Sequence, residues 1–419
     1  MLNTWFFLLL LIVVGLYALN VIASLLNLKA LQPKLPQEFA DTFDAEKYTQ
    51  SQEYTRAHTR FDLVESTFSL LVFLAFWLLG GFPWLDGIIA SWGWGPVGTG
   101  LAFFGLLFLA NTLLGLPFNL YDTFVLEERF GFNQTTPATF VADFCKNLAL
   151  AALLGLPLLA LLLWIFATVP AAWFWAWIVV SAFSLLLTWL APTYLLPLFN
   201  KFQALEDGEL KNKIHAMAEK CHFPLTEISI MDGSKRSAKA NAFFTGFGKR
   251  KKIALYDTLV EKQTTGELVA VLAHEIGHFK KKHIHQTIVL SLLQTGLLFF
   301  LLGLFLNQAG LYEAFGVDTT SGQLPVYLGI LFFTVLFKPI SRIIGIGMNI
   351  FSRKNEFEAD AYAAEVTSQP NDLVTALKKL SASNLSNLTP HPLHVFMDHS
   401  HPPVLQRIRA LRTLAVATP

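Results

Sequence analysis

Long apolar stretches constrain this chain more than any other feature of its sequence. A helix needs about 20 apolar residues to cross the hydrocarbon core of a bilayer. Stretches of about that length occur at 5–27, 63–82, 97–119, 147–168, 172–195, 286–307 and 325–347. The chain is 53% hydrophobic and only 15% charged, a balance far from that of an ordinary soluble domain. The sequence therefore predicts an α-helical, multispanning membrane protein with seven transmembrane helices.

The distribution of Lys and Arg between the stretches predicts an orientation. Lys and Arg are present in the connecting segments 28–62, 120–146, 196–285 and 348–419. Neither residue is found in the alternate segments 83–96, 169–171 and 308–324. Because these cations accumulate in cytoplasmic loops, we expect the N-terminus outside and the segments 196–285 and 348–419 in the cytosol. The first stretch lacks the basic start of a cleaved signal peptide, so we expect a retained anchor.

The seventh stretch contains two cations at membrane depth. Lys338 and Arg342 are four residues apart, beside Pro339, and therefore share one helical face. Charged side chains within a span either face a polar interior or extend to the membrane interface. The sequence leaves both interpretations open.

The sequence His274-Glu275-Ile276-Gly277-His278 carries the chemistry. Residues four apart lie on one face of a helix, so both imidazoles can bind one metal ion while Glu275 contacts a water molecule. Thr264 as N-cap and Glu267 as its capping-box partner predict a helix that includes this motif. The pattern is typical of a zinc peptidase.

A second acidic motif offers the remaining ligand. Glu356 and Asp360 are four residues apart and could supply a third metal ligand and an acceptor for a ligand imidazole. Glu358 points away from that face, and we expect it to be solvated. His283 and His285 are the alternative ligands, but we expect them to flank a membrane span. A third histidine in the metzincin pattern is excluded, because Lys281 and Ile284 occupy the required Gly and His positions.

The positions of the motifs predict a split catalytic domain. We expect five transmembrane helices in 1–195, a first catalytic part in 196–285, helices six and seven in 286–347, and a second catalytic part in 348–419. A helical hairpin formed by 286–347 would return Glu356 to the membrane face that carries His274. The metal should then lie close to the membrane surface.

Residues 241–256 read as strand, basic turn and strand, which predicts a β-hairpin. An exposed strand edge beside a metal could bind an extended peptide by backbone pairing, although the hairpin could also simply pack on the catalytic helix. The basic turn Lys249–Lys252 could contact anionic lipid or an acidic substrate, or it could be an ordinary solvated turn.

The motifs together resemble those of the type I CAAX prenyl proteases, integral-membrane zinc metalloendopeptidases. The resemblance rests on the ordered segments Tyr121–Asn133, Pro197–Phe202, Ser237–Gly246, His274–His278, Glu356–Asp360 and Asp398–Pro403, followed by Arg407. It implies seven transmembrane helices around a large chamber, capped by a cytosolic zinc domain that contains the small hairpin. We favour a bacterial member of the family.

The resemblance also implies roles for individual residues. Its ligands for one Zn²⁺ per chain correspond to His274, His278 and Glu356, and its catalytic base corresponds to Glu275. Residues similar to Asn241 and Ala242 align the substrate, and residues similar to His401 and Arg407 line the site near the scissile carbonyl. The expected catalytic residues are thus Glu275 and His401. Asp360 is the expected partner of a ligand imidazole.

The resemblance predicts hydrolysis of peptide bonds near the C-terminus of prenylated CAAX-type or other membrane-associated proteins. A membrane-protein quality-control protease without prenyl specificity is an alternative, and a transporter or channel with a structural metal is a further one. We expect a monomer in a bacterial inner membrane, or in the endoplasmic reticulum of a eukaryote. The expected partners are a peptide or lipidated protein and the bilayer, and no nucleic acid.

Overall fold

The computed structural model describes residues 2–245 and 251–417, and this part of the chain is mostly helical. The helices in chain order are α1 (Thr4–Lys29), α2 (Ala45–Leu78), α3 (Gly81–Ala90), α4 (Gly95–Glu127), α5 (Pro137–Thr168), α6 (Ala172–Phe199), α7 (Glu209–Lys220), α8 (Asp257–Lys262), α9 (Thr265–Lys280), α10 (His283–Phe305), α11 (Ala309–Ala314), α12 (Val326–Thr367), α13 (Pro370–Ser383), α14 (Pro392–Asp398) and α15 (Val404–Ala417). The strands are β1 (Phe202–Ala204), β2 (Leu225–Met231), β3 (Ala242–Thr245) and β4 (Lys251–Tyr256).

Seven helices in the described residues are long and apolar enough to cross a membrane, which confirms the predicted fold class. These helices are α1, α2, α4, α5, α6, α10 and α12. The last of them has 42 residues, which at about 1.5 Å per residue is roughly twice the thickness of the hydrocarbon core. Pro339 lies inside α12 without ending it. The expected domain boundary at 347 thus falls within one continuous helix, which runs from the predicted seventh span into the acidic motif.

The two cations of α12 face the interior of the helical assembly. Lys338 and Arg342 line a cavity of about 820 Å³ that is also bounded by α1, α2 and α10. The Lys338 ammonium lies 5.7 Å from the centre of the Phe73 ring, and Arg342 Nη1 lies 2.8 Å from a carboxylate oxygen of Asp398. Of the two interpretations left open by the sequence, the structure favours the polar interior.

The strands form one sheet in the order β1-β2-β4-β3. The β3–β4 pair is antiparallel, as the predicted hairpin requires, with Ala242 opposite Leu255. The turn residues 246–250, and with them Lys249 and Arg250 of the basic run, lie outside the described residues. Lys251 is buried with its ammonium 5.1 Å from the centre of the Phe279 ring, and Lys252 pairs with Glu227 at 2.6 Å.

The sequence prediction missed strands β1 and β2, which join the hairpin in the same sheet. Strand β2 pairs in parallel with β4, so the β3–β4 pair forms one side of a four-stranded sheet. Ile253 and Leu255 of β4 are fully buried in the core that also contains Leu272 and Ile276 of α9. The sheet therefore supports the helix that carries the histidine motif.

Helix α9 begins as the sequence predicted. The Thr264 side chain accepts a hydrogen bond from the Glu267 backbone N–H, and the Glu267 carboxylate accepts one from the Thr264 N–H at 2.7 Å. Both halves of the capping box are present. The helix ends at Lys280, and Lys282 adopts a positive φ of 60° before α10 begins at His283.

Replacing the N-cap tests how strongly this helix start stabilises the part of the chain that carries the histidine motif. Thr264→Ala should lower the free energy of unfolding by about 0.5–2 kcal/mol, because a helix N–H loses its acceptor. Thr264→Ser keeps the hydroxyl, and its free energy of unfolding should remain near that of the wild type. Thermal melting of the detergent-solubilised protein measures the difference. Equal stability of the two variants would contradict the assigned cap.

Candidate metal centre

The crossing of α9 and α12 brings three predicted ligands together. His274 and His278 project from α9, and Glu356 projects from α12. The two imidazole Nε2 atoms are 3.2 Å apart. Glu356 Oε2 lies 3.5 Å from His274 Nε2, and Glu356 Oε1 lies 3.3 Å from His278 Nε2. Two nitrogens and one carboxylate thus surround a single point, an arrangement that could hold a metal ion.

The electrostatics of this group favour a positive charge at its centre. Burial by itself would lower the pKa of His274, but hydrogen bonds with Asp360 and Glu356 raise it to about 9. The same carboxylates that favour a proton on His274 would favour a metal cation. Glu356 Oε2 is buried and, among the described residues, forms no hydrogen bond of good geometry. These features fit a cation that binds between the three side chains.

A glycine allows the two helices to approach. A Cβ atom added to Gly277 would lie 3.1 Å from Ala359 Cα and 3.2 Å from the Ala359 carbonyl oxygen. Both are backbone atoms of α12, so a side chain here would push the helices apart. Gly277 lies between the two histidines of the motif, and Ala359 lies between Glu356 and Asp360. This close contact therefore sets the distance between the imidazoles and the carboxylate.

Asp360 and Arg407 contact two of the predicted ligands, His274 and Glu356, and fix their positions. Asp360 Oδ1 lies 2.9 Å from His274 Nδ1, on the opposite side of the ring from the ligand nitrogen. Arg407 of α15 donates two hydrogen bonds to Asp360, at 2.6 and 2.8 Å, and its Nη1 lies 3.1 Å from Glu356 Oε2. Arg407 lines the cavity, but most of its guanidinium contacts are with protein carboxylates.

Glu275 borders the open side of the site. It lines a cavity of about 780 Å³ together with the three predicted ligands, His401 and Arg407. Burial raises the pKa of the Glu275 carboxyl above its ordinary value. A carboxylate with a raised pKa at the edge of a cavity can accept a proton and release it again.

His401 reaches the same cavity from the loop between α14 and α15. Its Nε2 lies 3.4 Å from Glu356 Oε1, and 65% of its side chain is exposed in the cavity. Limited solvation between the cavity walls lowers its pKa, which favours the neutral imidazole near neutral pH. Arg353 of α12 fixes this loop by donating hydrogen bonds to the backbone carbonyls of Val395 and His399.

The predicted substrate residues lie at the edge of the sheet. Asn241 and Ala242 line the cavity, and no described strand pairs with the outer edge of β3. The Asn384 side chain holds the adjoining backbone, because it accepts from Ala240 N–H at 3.1 Å and donates to the Ala240 carbonyl at 3.3 Å. Sequence reasoning missed Asn384, which follows α13 and has no local motif.

A second cluster of ligand-type side chains lies beside this strand. His58, Asp122 and Glu127 offer one nitrogen and two oxygens within 4.8 Å of one another. Lys239 Nζ, however, lies 2.9 Å from Glu127 Oε2, and the Tyr54 hydroxyl donates to Glu127 Oε1 at 2.6 Å. The lysine already supplies the positive charge, so this cluster is an ion-pair network that connects α2 and α4 to the start of β3.

Two sequence expectations around the motif need correction. Glu358 is not simply solvated, because its carboxylate lies 3.2 Å from His283 Nε2 and only 39% of its side chain is exposed. His283 begins the membrane helix α10, as expected, but it is buried and its Nδ1 lies 3.0 Å from His278 Nδ1. His285 is exposed. The return of His283 towards the motif depends on the turn at Lys282, which helix periodicity does not predict.

Comparisons with known proteins cover nearly the whole chain. A model of the CAAX prenyl protease N-terminal region, with five membrane helices, matches residues 24–201, and a model of peptidase family M48 matches residues 204–415. CAAX prenyl protease 1 of Saccharomyces cerevisiae is 37% identical over 407 residues, with 91% of this chain and 89% of the yeast protein covered. The CAAX prenyl protease 1 homolog of Homo sapiens is 33% identical over 426 residues, with 91% and 89% covered.

The fold is similar to that of a solved structure. The crystal structure of S. mikatae Ste24p superposes with a TM-score of 0.90 at 34% sequence identity. The superposition covers 98% of this chain and 99% of the other. The similarity therefore includes both the membrane helices and the split domain that carries the candidate site.

Enlarging Gly277 tests the role of the helix contact. Gly277→Ala should lower the free energy of unfolding by about 1–3 kcal/mol and reduce the bound metal, because α12 must move away from α9. Gly345→Ala is the matched control, since an added Cβ there meets no atom within 4 Å. Metal analysis and thermal melting of both variants measure the effect. A Gly277→Ala protein with full metal content and wild-type stability would refute the assigned contact.

Proposed function

Because the chain belongs to the CAAX prenyl protease 1 family within peptidase family M48, we propose that it is a zinc endopeptidase acting on lipid-modified proteins. Family membership confirms the resemblance drawn from the motifs. The protein is a membrane-embedded metalloprotease, and the transporter interpretation loses its support. The zinc assignment, the residue roles and the substrate are the proposal.

The observation that carries the zinc assignment is the set of distances between the two imidazole Nε2 atoms and the two oxygens of the Glu356 carboxylate. Zinc ligands lie about 2.0–2.1 Å from the ion in tetrahedral sites, so neighbouring donors should be about 3.3–3.4 Å apart. The two Nε2 atoms are 3.2 Å apart, His278 Nε2 lies 3.3 Å from Glu356 Oε1, and His274 Nε2 lies 3.5 Å from Glu356 Oε2. His274, His278 and Glu356, which all line the cavity, would therefore hold one Zn²⁺. Bound there, zinc would act as a Lewis acid towards water and the scissile carbonyl.

The chain's own residues would then move the proton. Glu275 would accept a proton from the attacking water and pass it to the leaving amine, a role that its raised pKa favours. His401, as a neutral imidazole, would donate an N–H to the developing negative charge on the carbonyl oxygen. Arg407 and Asp360 would hold Glu356 and His274 in position during this step. Arg407 would contact the substrate only through those of its side-chain atoms that line the cavity.

The substrate would bind as an additional strand. The free edge of β3 begins beside the metal centre, so a peptide could pair with Asn241 and Ala242 through its backbone. The wall of the cavity also contains Leu373, Leu377 and Leu380 of α13. This wall favours aliphatic side chains next to the scissile bond. The relatives are named CAAX prenyl proteases, and an apolar cavity wall fits a lipid-modified substrate.

We also propose an orientation in the membrane and an oligomeric state. The alternation of Lys and Arg between loops supports an outside N-terminus and a cytosolic catalytic domain, formed by 196–285 and 348–419. One chain carries every proposed ligand, the base and the substrate strand, which supports a monomer that binds one zinc ion. The bilayer and a lipidated protein are the proposed partners.

Two substitutions distinguish the proposed role of Glu275 as a base from that of Glu356 as a metal ligand. Glu275→Gln should lower the rate of peptide hydrolysis by about 100- to 10,000-fold and leave zinc bound, because the residue moves protons and does not ligate. Glu356→Ala should remove zinc and activity together. Metal analysis on the folded variants distinguishes the two roles. Loss of zinc in Glu275→Gln, or full zinc in Glu356→Ala, would contradict the assignment.

Cleavage of matched peptides tests the substrate. The purified protein is incubated with a farnesylated CAAX peptide and with an unmodified peptide of identical sequence, each with and without a zinc chelator. We expect the farnesylated peptide to be cleaved with a higher kcat/KM, and the chelator to stop cleavage. Equal cleavage of both peptides would favour the alternative of a quality-control protease without prenyl specificity. Cleavage that persists when all zinc has been removed would refute the proposed mechanism.

A further inference from the structure

The His278 side chain has a partner on the side that faces away from the proposed metal. We propose that His283 and Glu358 are positioning residues for His278, arranged as a carboxylate–imidazole–imidazole relay behind the metal site. The proposal rests on the zinc site proposed above and adds two residues to it. Neither residue contacts the reacting atoms.

The first link joins the two imidazoles. His278 directs Nε2 towards His274 and Glu356, and its other nitrogen, Nδ1, lies 3.0 Å from His283 Nδ1. A ligand imidazole that binds a metal through Nε2 carries its proton on Nδ1, where it usually donates to a carboxylate, carbonyl or water. Here the acceptor within reach is the ring nitrogen of His283, which is only 3% exposed.

The second link fixes which nitrogen of His283 accepts. Its Nε2 lies 3.2 Å from Glu358 Oε2. A carboxylate accepts hydrogen bonds only, so His283 carries its proton on Nε2 and presents the lone pair of Nδ1 to His278. The two hydrogen bonds thus run in one direction, from His278 through His283 to Glu358. This arrangement leaves the Nε2 lone pair of His278 free for the metal.

With this relay, each of the two proposed histidine ligands has a partner at its Nδ1 atom, but the two partners are of different kinds. His274 contacts a carboxylate directly, through Nδ1 and Asp360, and that carboxylate is neutralised by Arg407. His278 reaches its carboxylate only through the His283 ring. Both carboxylates belong to α12: Asp360 and Glu358 lie four and two residues after the proposed ligand Glu356, on either side of Ala359. One helix therefore orients both imidazoles as well as supplying the acidic ligand.

The backbone places His283 for this role. The Lys281 and Lys282 N–H groups donate to the carbonyls of Gly277 and Phe279, which closes the end of α9. Lys282 then takes a positive φ of 60°, a conformation that non-glycine residues adopt rarely, and α10 starts with His283. The chain thereby turns back towards His278 at the point where it enters the membrane helix.

The geometry excludes His283 as a fourth ligand of the same ion. Its Nδ1 faces His278 Nδ1, on the side of that ring opposite the nitrogen that faces Glu356. A ring in this position could not reach the metal without displacing His278. His283 can affect the site only by holding His278.

The test measures zinc affinity by chelator competition, a readout independent of activity. His283→Phe keeps the volume of the ring but removes the acceptor, and it should weaken zinc binding about 10- to 100-fold. His283→Gln offers an amide oxygen to His278 and should restore much of the affinity. His285→Phe is the matched control, because His285 is exposed two residues away, and it should bind zinc as wild type does.

Glu358 provides a second pair of variants that does not depend on the fold of the His283 variants. Glu358→Leu removes the acceptor of His283 Nε2–H and should weaken zinc binding, by less than His283→Phe. Glu358→Gln retains an oxygen acceptor and should bind zinc as wild type does. The melting temperature of each metal-free variant shows whether its fold is retained, and the visible spectrum of the cobalt-substituted protein reports on the geometry of the ligands, including His278.

The outcomes are distinct. Wild-type zinc affinity and an unchanged cobalt spectrum in folded His283→Phe would overturn the relay, as would an equal loss in His285→Phe. If His283→Phe does not fold, equal affinities of Glu358→Leu and Glu358→Gln would overturn it. A wild-type protein that binds no zinc would instead refute the proposed function, and the relay with it.

Discussion

The close contact between α9 and α12 at Gly277 and Ala359 is the constraint on which the rest of the site depends. The histidines and the carboxylate come from helices far apart in sequence, and they share one point only because the two backbones approach closely. The sheet packs behind α9, and α12 is continuous with a membrane span. The crossing is therefore supported by the sheet on one side and joined on the other to a helix long and apolar enough to span a membrane.

Charge balance around this crossing explains why buried ionisable groups are tolerated. Glu356, Asp360 and His274 are almost fully buried, and Arg407 lies against all three. A buried carboxylate without a partner would be costly, and a buried charged network is stable only when its members satisfy one another. The guanidinium offsets part of the negative charge, and a divalent cation between the ligands would offset more. The arrangement makes α15 part of the site, although α15 supplies no proposed ligand.

Helix α12 connects the cavity lined by Lys338 and Arg342 to the loop that carries His401. Arg342 pairs with Asp398, and Arg353 holds the carbonyls of Val395 and His399, so α12 also fixes the loop that carries His401. The sequence indicated that Arg342 was unusual but not which partner it had, because Asp398 lies in a separate segment. The partner of Asn384 was also not predictable, because no local pattern indicates its two hydrogen bonds with the Ala240 backbone.

Local patterns in the sequence determined the seven spans, the helix of the histidine motif with its capping box, and the hairpin at 242–256. Hydrophobic length, side-chain periodicity and capping depend on neighbours within a few residues, so they can be read without the fold. The tertiary structure alone decided that Glu356 meets both imidazoles, that Arg407 lies against Asp360, and that His283 turns back to His278. Those contacts join distant segments, and they depend on how closely two helices cross and on one residue of unusual backbone conformation.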